Sequence, residues 1–108
     1  QIEDLEGVEN IESILDVKGI DAVFVGPYDL SISLGVANQF DSNKFKVSLD
    51  KIAKACKANC RPLGIFESNV NRIAKLKNSG FTFFCISSDI SFLINEAKNS
   101  LLNLKEKF

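Results

Sequence analysis

The chain has 108 residues, one domain at most, and a compact fold of that size buries about 65% of its unfolded surface. Hydrophobic residues at 45% and charged residues at 25% exclude a disordered tail or a coiled-coil rod, and no apolar run approaches the roughly 20 residues of a membrane-spanning helix. Thirteen Lys and Arg against fourteen Asp and Glu give a net charge of −1, without the basic stripe of a nucleic-acid clamp or a binder of anionic membranes. Taken in chain order, the apolar residues Val8, Ile11 and Leu15 recur at helical spacing and predict a first helix closed by Gly19. Residues 21–25 are a β-branched and aromatic run ended by Gly26-Pro27, and predict a strand buried on both faces. A polar loop through Gly35, Asn38 and Asp41 is expected next. Phe45, Leu49, Ile52, Ala53, Cys56 and Cys60 then line one side of a second helix, capped by Asp41 or Ser42.

The alternation continues. Residues 63–66 read as a short strand after Pro62, and Ser68 or Asn69 opens a helix carrying Val70, Ile73 and Ala74, with Gly80 at its left-handed terminus. Residues 81–86 have the strongest strand character in the chain. Ile90, Leu93, Ile94, Ala97, Leu101 and Leu104 mark a long last helix with Lys and Glu on its outer side. With a stub of strand at Gln1-Ile2-Glu3, the order predicts a parallel sheet with right-handed crossovers. Three and a half βα units do not close a (β/α)₈ barrel. The composition leaves open whether the chain is the last half of one or a free-standing open sheet.

The chain contains neither Met nor His, so it reads as a trimmed product or a piece of something longer, and His-dependent chemistry would need another segment. No basic stretch followed by an apolar one suggests a leader. Cys56, Cys60 and Cys85 lack the paired spacing of a disulfide scaffold; Cys56 and Cys60 read as small buried hydrophobes, and reduced thiols in a cytoplasmic protein are expected. Polar groups at the strand ends are Gln1 and Glu3, then Tyr28 and Asp29, then Glu67, then Ser87, Ser88 and Asp89. Asp89 is expected to be the N-cap of the last helix. Glu3 and Asp29 are 26 positions apart, about one βα unit, and would emerge from adjacent strands at one end. That suits a hard divalent cation such as Mg²⁺ or Mn²⁺, with the turn at Gly26-Pro27 facing backbone N–H groups toward a bound carboxylate. Spacing alone leaves open that these are solvated loop carboxylates and a helix cap.

Gln1-Ile2-Glu3, then Gly26-Pro27-Tyr28-Asp29-Leu30-Ser31 with Ser33-Leu34-Gly35, resemble the HpcH/HpaI family. These are class II metal-dependent pyruvate aldolases, including 2,4-dihydroxyhept-2-ene-1,7-dioate aldolase and 2-keto-3-deoxy sugar-acid aldolases. The stretch Gly80-Phe81-Thr82-Phe83 through Ser88-Asp89 and Leu93 is similar to that family's final βα unit. The resemblance runs in order over essentially the whole chain.

What it implies about fold is an α/β chain forming the C-terminal half of a (β/α)₈ TIM barrel. Residues 1–108 would be a single partial domain starting at the end of strand five, with about three and a half βα units of parallel strands. It further implies that Glu3 and Asp29 ligate a divalent metal (Mg²⁺ or Mn²⁺, with Co²⁺ also open) and that Gln1 contacts substrate. The turn at Gly26 and Pro27 would present the N–H groups of Tyr28 and Asp29 to a pyruvyl carboxylate. Tyr28 stands where many members have Ala, which would narrow the pocket without removing the backbone donors. Ser87 stands where a Gly is usual, a departure in the loop after the last strand.

The implied reaction is cleavage of a 2-oxo-4-hydroxy acid to a pyruvate-type 2-oxo acid and an aldehyde, the metal acting as a Lewis acid on the carboxylate and keto oxygens. The family's His base and its Arg belong to the first half of the barrel. No residue here matches them, so no catalytic residue is expected within the chain, and the isolated chain is expected to be inactive. The family's last helix packs on a neighbouring subunit, which implies a homo-oligomer. Two other readings stand beside this one: a non-catalytic half-barrel that oligomerises or binds a small 2-oxo acid, and a related carbon–carbon lyase acting on acyl-CoA substrates.

Overall fold

Three strands, β1 (Val23–Val25), β2 (Leu63–Phe66) and β3 (Phe83–Cys85), form a parallel sheet in chain order in the computed structural model, which describes residues 1–108. Val23 pairs with Leu63 and Gly64 with Phe83. The expected stub before the first helix is a single parallel bridge from Ile2 to Val25 on the outer edge of β1. All strands run parallel in sequential order, each joined to the next by a helical crossover. The fold is α/β with parallel strands, as expected.

Alternation along the strands separates two faces. Val23, Val25, Leu63 and Ile65 are buried on the helix side. They join Val8, Ile11 and Leu15, together with Phe45, Leu49, Ile52 and Cys56, in one core. On the other face the Phe83 ring lies directly over Gly64 and against Phe24, at 5.8 Å between centroids. A Cβ at Gly64 would fall inside that ring.

The helices differ from expectation at four places. The first is two short helices, α1 (Leu5–Glu9) and α2 (Ile11–Leu15), broken at Asn10, and Leu15 rather than Gly19 ends the regular structure. The expected loop after β1 begins with a helix, α3 (Pro27–Ser33), because proline's fixed φ suits a first helical position, where no N–H is needed. Helix α4 (Asn43–Ala58) is capped by Ser42, whose hydroxyl accepts from Phe45 N at 3.3 Å; Cys56 is buried on it, but Cys60 lies beyond its end and is exposed. Helix α5 (Val70–Asn78) is capped by Asn69, and Gly80 follows at φ +101°. The last helix, α6 (Asp89–Lys105), is capped by Ser88, not Asp89, because the Ser88 hydroxyl is the group that reaches Ser91 N.

The third strand departs furthest from its sequence pattern. Despite its composition, β3 is three residues long and mostly exposed, and α6 buries no residue at all. No helix is long and apolar enough to cross a membrane.

Candidate metal and substrate site

The site forms where the Gln1-Ile2-Glu3 segment lies along the end of β1. Ile2 N donates to Phe24 O at 2.8 Å and Gly26 N donates to Ile2 O at 3.0 Å. These two bonds fix the register. Ile2 therefore turns into the core, and by alternation Gln1 and Glu3 stand on the opposite face.

Gly26 makes room for them. A Cβ there would lie 2.7 Å from Glu3 Oε1 and 3.2 Å from Gln1 Nε2, so only glycine lets both side chains lie on the strand end. Gln1 Nε2 donates to Glu3 Oε1 at 2.6 Å, which leaves Glu3 Oε2 without a protein partner.

Three residues on, Asp29 sits in the first turn of α3. It is exposed and makes no ion pair or side-chain hydrogen bond. The N–H groups of Tyr28 and Asp29 have no acceptor, as at any helix start. One end of β1 thus carries two carboxylates with free oxygens and two free backbone donors. That donor set fits a hard divalent cation with a carboxylate ligand beside it, and Gly26 is the gap that keeps Glu3 there. No group of three or more His, Cys, Asp or Glu side chains converges anywhere in the chain. A cation would therefore take the rest of its shell from water or substrate oxygens.

Two serines hold α3 in place, and the sequence reading gave them no role. Ser31, fully buried, donates to Tyr28 O at 2.7 Å and accepts from Asn38 N at 3.0 Å. Ser33 Oγ accepts from Leu5 N at 3.0 Å, tying α3 to α1 just after Glu3. Both lie in the motif Leu30-Ser31 and Ser33-Leu34-Gly35, which was the available signal.

The remaining strand-end groups do other work. The Tyr28 ring packs edge-on to Phe40 at 5.4 Å and against Phe66 at 6.3 Å. Glu67 pairs with Arg72 at 3.4 Å and accepts from Asn69 N. Asp89 accepts from Ile90 N. Burial pushes the Cys56 thiol above its ordinary value.

Residues 1–96 match the family described as HpcH/HpaI aldolase/citrate lyase. A hydroxypyruvate/pyruvate aldolase of Roseobacter denitrificans is 31% identical over 106 residues, covering 98% of this chain and 41% of that protein. A 4-hydroxy-2-oxo-heptane-1,7-dioate aldolase of Salmonella paratyphi B is 32% identical over 98 residues, covering 91% of this chain and 37% of that protein. Among solved structures, the HpcH/HpaI aldolase from Desulfitobacterium hafniense superposes with a TM-score of 0.86 at 31% identity, over 98% of this chain and 41% of that one. The chain spans about two fifths of the length of the curated relatives it matches.

Proposed function

This chain belongs to the HpcH/HpaI aldolase/citrate lyase family, and from that membership we propose that it is the C-terminal part of a divalent-metal-dependent aldolase barrel. The reaction proposed is cleavage of a 2-oxo-4-hydroxy acid to a pyruvate-type product and an aldehyde. Relatives named as aldolases of hydroxypyruvate, pyruvate and a hydroxy-oxo diacid support the substrate class.

The observation that carries the proposal is the placement of Glu3 on Gly26, three residues before Asp29. Glu3 and Asp29 would hold Mg²⁺ or Mn²⁺, and a cation bound there would supply Lewis acidity toward the substrate's oxygens. Gln1 orients Glu3 through its 2.6 Å hydrogen bond and would face the substrate. Gly26 and Pro27 start α3 so that the N–H groups of Tyr28 and Asp29 would receive the carboxylate.

The inner face of the sheet supports the barrel. A (β/α)₈ barrel is filled by side chains from the inner faces of its strands. Here Phe24 of β1 and Phe83 of β3 fill one level, with Gly64 of β2 between them. At the next level Glu3 and Phe66 alternate with Gly26 and the small Cys85. The absence of His within the 108 residues means that a His base would come from a segment outside them, and the chain by itself would not turn over. The exposed apolar α6 favours a second reading, a non-catalytic half-barrel that assembles with further copies and binds the oxo acid only.

Mn²⁺ titration tests the site, followed with and without oxalate, whose two chelating oxygens mimic the enolate of pyruvate. Weak Mn²⁺ binding, strengthened by oxalate and lost in Asp29→Ala, is the expected result. Undiminished binding in Asp29→Ala removes that residue as a ligand. Aldol cleavage by the pure chain overturns the proposal that it is inactive alone.

A further inference from the structure

Both edges of the sheet are open, and they belong to opposite ends of the chain. At one edge, the Gln1-Ile2-Glu3 segment turns Ile2 N and Ile2 O toward β1. Alternation then turns the Glu3 N–H outward, where it has no acceptor. At the other edge β3 pairs only with β2. All strands run in one direction, so the outer edge of β3 fits a parallel strand such as the N-terminal segment offers.

Helix α6 repeats the mismatch one layer out. A crossover helix packs over the two strands that it links. Helix α4 leads from β1 to β2 and α5 from β2 to β3, but α6 follows β3 with no further strand to cover. Its stripe of Ile90, Ile94, Leu101 and Leu104 therefore stays in water. The chain exposes 7522 Å², whereas a compact monomer of 11.9 kDa exposes about 6,000 Å². The excess of roughly 1,500 Å² is nearly twice the ~800 Å² that each partner gives to a stable interface.

The strand count sets the geometry. The Ile2 segment, β1, β2 and β3 occupy four neighbouring parallel positions, half of the eight that close a (β/α)₈ barrel. Two copies about a twofold axis supply all eight, and closure leaves no edge.

We propose that two copies of this chain close one barrel head to tail. The outer edge of β3 in one copy pairs with the Gln1-Ile2-Glu3 edge of the other, and α6 covers that seam. The Phe83 ring, 38% exposed on the inner face, is then enclosed. The inference rests on the barrel reading given above and names the partner that completes the barrel when the chain is alone.

Light scattering over a concentration series tests the partner, and two variants test the seam. Glu3→Pro removes the outward N–H and blocks strand pairing at the head, while both Ile2 bonds remain. Leu93→Lys with Leu101→Lys spoils the tail. Each variant alone should dimerise about tenfold more weakly than the parent or worse, with circular dichroism showing that it is folded. Mixed in equal amounts they form a dimer with one intact seam, so the mixture should associate more tightly than either component. A folded monomer of the parent, a smallest assembly other than a dimer, or a mixture no tighter than its components overturns the inference. Glu3→Pro dimers as tight as the parent's overturn it too, since packing of α6 on α6 would give that result. Mn²⁺ titration of the same samples reads the metal centre independently. A dimer that binds no Mn²⁺ upholds this inference and fails that centre; a monomer that binds it does the reverse.

Discussion

At Gly26 the missing side chain is what lets Glu3 and Gln1 lie over the end of β1. Gly26→Ala would bring a methyl group to 2.7 Å from Glu3 Oε1, a distance that displaces the carboxylate. Glu3 is only half-buried, so its side chain can turn outward while Ile2 stays paired to β1; the chain should still fold while Mn²⁺ binding falls about tenfold or more, the order of change for a disturbed metal shell. Circular dichroism beside the Mn²⁺ titration separates the two effects; a variant that folds and binds like the parent sinks the placement. Cys56 makes a different prediction. Its folded pKa is raised by burial, so the folded chain holds the thiol proton more tightly than the unfolded chain. That contribution is fully present below the ordinary thiol pKa of about 8.5 and is lost as pH rises through the folded value. Thermal melts should fall more steeply above about pH 8.5 in the parent than in Cys56→Ala.

At the scale of the element, the caps carry clear expectations. Asn69 Oδ1 accepts from Asn71 N at 3.0 Å and Arg72 N at 3.4 Å, and it opens the helix that holds Arg72 against Glu67. Asn69→Ala should cost about 1 kcal/mol, a fall in melting temperature of roughly 5 °C for a domain this size. Asn69→Asp should lose little, and calorimetry of both variants checks the pair. Most elements were legible because helix and strand periods alternate cleanly, and the caps at Ser42 and Asn69 stand where short polar side chains precede apolar runs. The break at Asn10 was invisible, since Val8, Ile11 and Leu15 keep helical spacing through it while the Asn10 side chain turns back to Glu6 O. Helix α3 was missed because Gly26-Pro27 reads as a turn, although proline at a first helical position is also a start signal. The pairing of Glu3 with the end of β1 followed from one βα spacing. The serines that hold α3 did not, because their partners, Asn38 and Leu5, are set by tertiary packing.

At the scale of the whole molecule, the chain is too extended for its length. A compact domain of this size has a radius of gyration of about 13 Å, whereas this one measures 16.9 Å, with a longest dimension of 60 Å. The excess belongs to the C-terminal third. Helix α6 exposes Ile90, Phe92, Leu93, Ile94, Leu101, Leu102 and Leu104, and β3 offers water an unpaired strand edge beside Phe83. Each large apolar side chain left in water forgoes roughly 1.5–3 kcal/mol of burial, and an open edge recruits another strand. We predict association that covers both, by the rest of the proposed barrel in a longer protein and by a second copy when the 108-residue chain is alone. The expected result is a dimer or larger assembly by light scattering, growing with concentration. In Leu93→Lys with Leu101→Lys the assembly should shrink, while the core around Ile52 and Val25 keeps its thermal transition. A folded species at 11.9 kDa across the whole concentration range would show that α6 stands free in solution and needs no neighbour.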